Sequence, residues 1–322
     1  MFVIRPARSY NGHENIWVFL ALEMHLEQEL EELARITEQE LVARMMHHGF
    51  IHDSMLCPWC ESQMCLKRAA DKIDKMEWRC INYKCTHYQT SYSIRNGSWL
   101  AEFRLPAKTM YKVLLYWAND VSQKDILRLV DIGRTTLSKL RKLIVSKISK
   151  YFNTNPLTLG GPGCIVQIDE TMINHKIKTH RGRVPRQQVW ILCIVDTSFT
   201  PSRGFCCLIE NRTASYLLPI ISRVVRAGST IHTDNFRSYL GLANINEYNH
   251  MSVCHKYHFV DPVTGVHTQN VESFNNKIKR KIKSMNGLDD TGRKLFLQEF
   301  MFIDLFKESA YEEVLRILKI NF

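Results

Sequence analysis

Apolar residues recur along this chain with two different periods, and the change between them divides it. Leu22, Leu26, Leu30 and Leu33 lie at intervals of four, four and three, which puts them on one helical face with glutamates around the rest. Residues 15–48 therefore read as two helices. The second is opened by Thr37, with Glu40 three positions on as its capping-box partner. Residues 107–150 are again helical in pattern, and Asn153–Gly163, rich in Asn, Thr, Pro and Gly, reads as a linker. Beyond it short apolar runs take over. Strands are expected at Cys164–Ile168, Val189–Val195 and Gly204–Ile209, and a helix at Ala214–Val225. A strand at Thr230–Thr233, a short helix near Phe236–Leu242 and an extended piece near Val253–Phe259 follow. A helix from Gln269 to Met285 and further helix to Phe322 complete the order.

A chain of 322 residues is long enough for two or three domains with real cores. Its net charge of +11 points to a polyanionic partner, nucleic acid first. The charge is uneven: the first fifty residues carry −4 and the rest +15. The acidic opening segment is thus a packing or self-association element and cannot track a phosphate backbone. No stretch approaches the roughly 18 apolar residues that span a bilayer, so no membrane partner is expected. No secretory signal pattern is visible, so a reducing compartment is expected for the ten cysteines.

Five of those ten cysteines fall between residues 57 and 85. Cys57-Pro-Trp-Cys60 and, about twenty residues on, Cys80-Ile-Asn-Tyr-Lys-Cys85 form two short loops, each turning back to offer two thiolates. Four thiolates complete a closed tetrahedral site for one structural Zn²⁺, a zinc ribbon with no open position for catalysis. Cys65 and His87 are spare donors. Met76–Arg79 and Tyr88–Ile94 look like the ribbon's strands.

Within residues 107–150, ten Lys and Arg stand against three Asp. The run Ser122–Val130, then Asp131-Ile132-Gly133, then Arg134–Lys142 has helix-turn-helix spacing, with Gly133 permitting the turn. The second helix would show Arg134, Thr135, Ser138, Lys139 and Lys142 to DNA and keep Leu137, Leu140 and Ile144 inside.

The chemistry sits in the second half. Asp169 ends the apolar run Ile165–Ile168, Asp234 ends Ser229–Thr233, and Glu272 lies in the first turn of a helix that Thr268 should cap. The two aspartates are expected at the rim of a sheet, where with Glu272 they would hold two Mg²⁺ (or Mn²⁺) ions for phosphodiester chemistry. On the last helix Val271, Phe274, Ile278, Ile282 and Met285 should face the sheet. Glu272, Asn276, Lys279 and Lys283 share another stripe, so the third acid lies in line with cations that could grip flanking phosphates. Lys277 belongs to the same basic run. Lys176, Lys178, Arg181 and Arg183 make the loop after Asp169 a DNA clamp candidate. Glu170 should point to the opposite face from Asp169. Asp196 reads as a turn residue, Glu210 as a helix-capping or ligand-orienting acid, His232 as buried structure and His267 as an active-site candidate. The Phe-rich tail (Phe296, Phe300, Phe302, Phe306) is a candidate interface.

Three strands, helix, strand, helix, strand, helix is the order of an RNase-H-like fold. Gln167-Ile168-Asp169-Glu170-Thr171, then Ile231-His232-Thr233-Asp234 with Tyr239, then His267-Thr268 leading to Glu272, resemble the DDE transposases of the Merlin superfamily and similar bacterial insertion-sequence enzymes. The resemblance covers residues 55–285; Phe274 stands where related bacterial enzymes often have Trp. It implies a multidomain α/β protein: an N-terminal helical segment (1–50), a zinc ribbon (51–100), a helix-turn-helix-like segment (101–155) and an RNase-H-like catalytic domain, a mixed sheet with flanking helices (156–322). It implies Asp169, Asp234 and Glu272 as the metal-binding triad. The implied activity is metal-dependent cleavage of transposon ends followed by attack of the freed 3′-hydroxyl on target DNA. The partners implied are double-stranded DNA, both terminal inverted repeats and target, and a homodimer or higher assembly on it. A nuclear location follows for a eukaryotic host, cytoplasm or nucleoid otherwise. The rival expectations are a DNA-binding protein with an inert core and a nuclease that cuts without joining.

Overall fold

The computed structural model describes residues 26–174, 188–254, 259–285 and 288–320. Its contacts fall into two compact units, Met1–Ile144 with Phe306–Phe322, and Val145–Leu305.

In the first unit, helix α1 occupies residues 26–35 and α2 Glu38–His47. Leu33 and, on α2, Leu41, Val42 and Met45 are buried. The expected capping box is present: Thr37 Oγ1 accepts the Glu40 N–H, and Thr37 N–H donates to Glu40 Oε2 at 2.8 Å. Strands β1 (Cys65–Arg68), β2 (Met76–Arg79) and β3 (Ser91–Ser93) form an antiparallel three-stranded ribbon. At its exit the Arg95 guanidinium is buried. It pairs with both Asp74 oxygens at 2.5 and 2.6 Å and donates to the carbonyls of Leu100, Phe103 and Leu105. That fork satisfies a buried charge pair by geometry that lysine lacks.

Helices α3 (Ala107–Ala118), α4 (Gln123–Leu129) and α5 (Arg134–Thr154) follow. Ser122 caps α4, accepting the Asp125 N–H at 3.2 Å. Arg134, Thr135, Ser138, Lys139 and Lys142 are exposed, while Leu137, Leu140 and Ile144 are buried, the division the periodicity required. Gly133 is absent from the left-handed residues, and a Cβ there would meet open space, so the turn does not depend on glycine. Helix α5 also runs on to Thr154, into the segment expected to be a linker. Leu159–Gly160 of that segment forms β4, paired in parallel with β8 (Val225–Arg226).

The second unit is built on a five-stranded mixed sheet. Its strands are β5 (Ile165–Met172), β6 (Trp190–Asp196), β7 (Arg203–Ile209), β9 (Thr230–Asp234) and β10 (Asn249–Val253). The order is β10-β9-β5-β6-β7; β5, β6 and β7 are antiparallel, and β9 and β10 run parallel to β5. This is an RNase-H-like mixed sheet with β5 at the centre. Both faces are covered, which explains why β6 is almost entirely apolar. On one face α6 (Ala214–Val224) packs Leu217, Ile221 and Val224 against Val166, Ile168, Leu192 and Ile194. On the other, α7 (Gln269–Ser284) and α8 (Asp290–Phe306) bring Val271, Phe274, Ile278, Phe296 and Phe300 onto Ile191, Cys193, Val195 and Cys206. The Phe274 ring passes so close to β7 that a Cβ on Gly204 would lie 2.3 Å from it, so that position requires glycine.

Of the extended piece expected near Val253–Phe259, residues 255–258 lie outside the described residues; β10, Asn249–Val253, ends where it was expected to begin. One expectation is corrected: Phe296, Phe300 and Phe302 are core residues, exposed by 3% or less, so they offer no interface. The short helix expected near Phe236–Leu242 is present as a 3₁₀ helix, Arg237–Asn244. In the first unit, α9 (Ala310–Ile317) buries Tyr311, Val314 and Leu315.

Candidate active site

Asp169 does not end its strand. β5 continues through Met172, with Glu170, Thr171 and Met172 paired to Leu192, Ile191 and Trp190 of β6. What ends is the neighbour. In the parallel ladder Ile168 faces Thr233, and β9 stops one residue later at Asp234. The two aspartates are thus adjacent on neighbouring strands and share a face, because each follows a directly paired residue. Helix α7 carries Glu272 across the same face: Asn275, one turn on, donates from Nδ2 to Asp169 Oδ2 at 2.8 Å.

The electrostatics match that convergence. Burial pushes the Asp169 carboxyl up, and Asp234, Glu170 and Glu272 push further, to about 7. Asp234 Oδ1 accepts the Phe236 N–H at 3.1 Å, and Glu272 Oε1 accepts the Thr268 hydroxyl at 2.9 Å. Thr268 therefore holds Glu272 instead of capping the helix, as its side chain makes no cap bond.

The cap comes from Gln167. Its Oε1 accepts the backbone N–H of Asn270 at 2.9 Å and of Val271 at 3.2 Å, and its Nε2 donates to His267 Nδ1 at 3.2 Å. Gln167 lies two residues before Asp169, on the same face of β5, and is buried. One side chain thus ties the strand of the first acid to the helix of the third. Periodicity could not find it, because a glutamine inside a strand carries no capping signal; its one sequence trace was a buried-strand position occupied by an amide. Asn275 was equally hidden, its Oδ1 being buried without a hydrogen-bond partner. His267 Nδ1 also accepts the Gln269 N–H at 3.3 Å, so its ring is fixed by the same tie.

Glu170 does point to the other face. There it pairs with Arg212 at 3.1 Å, and the guanidinium lies over the rings of Trp190 (4.1 Å) and Phe236 (4.3 Å). Burial raises its carboxyl; Tyr239 and Arg212 oppose the rise. Tyr239 Oη and Glu170 Oε1 are buried beside this pair, though neither completes a hydrogen bond of normal geometry. Asp196 is structural: its oxygens accept the N–H of Gly160 and Ser198 at 2.8 and 2.9 Å. Glu210 is exposed, and His232 is buried, which lowers its imidazole.

The cations divide. Lys279 and Lys283 are exposed on α7; burial raises the thiol of Cys193, the cross-strand partner of Asp169, and Lys279 opposes that rise. Lys277 instead turns to Asp304 at 3.7 Å, and Lys139 pairs with Glu102 at 3.0 Å. Lys176, Lys178, Arg181 and Arg183 lie outside the described residues.

In the ribbon the four sulfurs of Cys57, Cys60, Cys80 and Cys85 lie within 4.8 Å of one another, with Cys57–Cys85 at 3.9 Å and Cys60–Cys80 at 3.8 Å. Zinc–sulfur bonds of about 2.3 Å place tetrahedral sulfurs about 3.8 Å apart, so the donor set fits a closed zinc site. Cys65 and His87 are excluded as donors: Cys65 Sγ turns to the Leu66 carbonyl, and His87 stacks on Trp59. Among the described residues this quartet is the only group of three or more Cys, His, Asp and Glu donors drawn so tightly together.

One acid on the central strand, a second at the end of its neighbour and a third on the helix across the same face sit on an RNase-H-like mixed sheet. Residues 158–302 match the ISXO2-like transposase domain. A Haemophilus influenzae (strain ATCC 51907 / DSM 11121 / KW20 / Rd) protein described as an uncharacterized transposase-like protein is 30% identical over 112 residues, 35% of this chain and 87% of that one. The chain belongs to the insertion-sequence DDE transposase family. Among solved structures, similarity extends to a chain of the simian T-cell lymphotropic virus intasome in complex with PP2A regulatory subunit B56 gamma. That match has 17% identity, 45% of this chain, 52% of that chain and a TM-score of 0.29. The HTLV-2 integrase catalytic core domain in complex with magnesium is 18% identical over 45% of this chain and 87% of its own, with a TM-score of 0.27. Superpositions that loose carry no weight for the site.

Proposed function

We propose that this transposase cuts the ends of its element and joins the freed 3′-hydroxyl to target DNA, with Asp169, Asp234 and Glu272 holding two divalent ions. The observation that carries the reading is the convergence of three carboxylates on one sheet face, where burial first, and then Asp234, Glu170 and Glu272, raise Asp169 to about 7. Such a cluster is self-repelling until cations fill it. Bound there, divalent ions would supply Lewis acidity at the attacking and leaving oxygens. Carboxylates that serve two ions stand wider apart than donors closed around one, in keeping with their looser grouping.

The chain's own residues supply orientation. Asn275 holds one oxygen of Asp169, Thr268 one of Glu272. Gln167 fixes the distance between their elements. Lys279 and Lys283, exposed along α7, would hold the phosphates flanking the cut. The ribbon takes one Zn²⁺ in a structural role, and the exposed face of α5 contacts duplex DNA. Joining two ends requires at least two protomers on the DNA.

The test combines purified protein, Mg²⁺ or Mn²⁺, labelled terminal-repeat DNA and a target plasmid. Joined product from the wild type and none from Asp234→Ala supports the reading. Binding without nicking by the wild type sinks it, leaving the DNA-binding role. Cutting that never yields joined product leaves a nuclease.

A further inference from the structure

The ribbon holds two tryptophans with opposite fates. Trp78, on β2, is buried at 5% exposure; Trp59, between the first two cysteines, is 60% exposed. Exposure has not left Trp59 loose. Its indole stacks on His87 of the second cysteine loop at 3.8 Å and 5°, and Nε1–H donates to Tyr92 Oη at 3.2 Å. The second loop adds Ile81, Tyr83 and Tyr88, of which Tyr83 is 77% exposed with Lys84 Nζ 5.8 Å from its ring centroid. A rigid aromatic plate facing water marks a binding surface more than a packing remnant.

The surrounding charge selects the partner. Asp71, Asp74 and Glu77 are paired with Lys72, Arg95 and Arg79, which leaves Asp53 and Glu61 as the ribbon's acids outside an ion pair among the described residues. Lys67, Arg68 and Lys84 have no acidic partner among the described residues. Exposed π-faces, with Lys84 beside Tyr83, fit a polyanion whose bases can stack on protein. In a duplex those faces are covered by neighbouring pairs, so the fit is to unpaired bases.

We propose that the cysteine-loop face of the ribbon, the Trp59–His87 stack with Tyr83 and Tyr88 on the same loop as His87, binds unpaired bases of single-stranded DNA. Four thiolates around one divalent ion leave negative charge at the loops, so stacking leads and the cations follow. The relevance of DNA rests on the transposase reading, but binding needs no cleavage, so the two fail separately.

The experiment titrates the zinc-loaded full chain, without Mg²⁺, into labelled single-stranded oligonucleotide of about twelve nucleotides and into a duplex of the same length. Trp59→Ala should weaken single-strand binding about tenfold or more, Trp59→Phe should keep most of it, and duplex binding should not change. If Trp59→Ala loses zinc, Tyr83→Ala carries the expectation, about fivefold, because that ring is nearly free of packing. Unchanged single-strand affinity in these variants overturns the proposal, as does equal weakening on single strand and duplex. Self-association lost in Trp59→Ala without any change in DNA binding would also overturn it and mark a contact between copies of the chain.

Discussion

The chain contains two clusters of side chains proposed to hold metal, and they are built on opposite principles. The four cysteines close to within 4.8 Å on short loops that the sequence itself turns back. The three acids come from β5, β9 and α7, positions 169, 234 and 272, and remain wider and self-repelling. A closed thiolate set uses its ion to hold the fold. An open carboxylate set is held by the fold, at a cost, so that it can hold ions and substrate. The difference predicts which substitutions damage stability and which damage only chemistry.

The sharpest contrast comes from removing one ligand of each cluster. Cys80→Ser should abolish zinc uptake and with it zinc-binding free energy on the order of 10 kcal/mol. Zinc content and hydrogen exchange in β1–β3 would register the loss; a folded ribbon that still binds zinc would break the assignment. Asp234→Asn should do the reverse. Strand transfer should fall roughly a thousandfold, the equivalent of about 4 kcal/mol, while Tm holds or rises because one of the mutually repelling charges has gone. A clear fall in Tm would show the acids to be structural.

Next in size is the buried Asp74–Arg95 pair. Asp74→Ala strands a guanidinium exposed by about 5% and should cost about 3–5 kcal/mol in denaturant unfolding. Gln167→Ala lies between the two classes. It removes the acceptor for two helix N–H groups, about 1–3 kcal/mol, and should lower kcat more than it weakens DNA binding. Equal losses in both would make Gln167 a plain packing residue.

The smallest effect is a pH dependence of the metal-free protein. Asp169 sits at about 7 in the fold against 3.8 as its ordinary value. Between those values the folded chain holds a proton that the unfolded chain has released. Its contribution is therefore complete below about 4 and is lost as pH rises through 7. Urea midpoints of the metal-free protein should carry a downward component across that window that Asp169→Asn removes. Adding Mg²⁺ near pH 6.5 should release protons, measurable in a weakly buffered calorimeter.

Local patterns made much of this legible. The capping box at Thr37, the paired cysteine loops, the buried stripe of α5 and the three acids are each encoded within a few neighbouring residues. The order of elements along the chain followed from the alternation of patterns, whereas β10 was not read because its sequence, Asn249–Val253, carries only two apolar residues. What could not be read was set by contacts across long separations. Gln167 reaches residues 270 and 271, Asn275 reaches 169, and Lys277 reaches Asp304. None of these leaves a periodic trace. Asp169 was placed at a strand end because a charge after an apolar run looks like an exit, whereas β6 pairs with it for three residues more.

That overrun has a consequence of its own. Up to Ile168, β5 is an interior strand, bonded on both sides; from Asp169 onward its named pairing is with β6 alone. Among the described residues the strand thus becomes a sheet edge halfway along, and an unguarded edge recruits other strands. The residues at the changeover are Asp169, Glu170 and Thr171, two of them acids. The carboxylate proposed to hold metal also guards the opening against β-addition. An apolar replacement such as Asp169→Leu should therefore make the protein both inactive and prone to aggregate, a solubility defect that the similarly inactive Asp169→Asn should show far less.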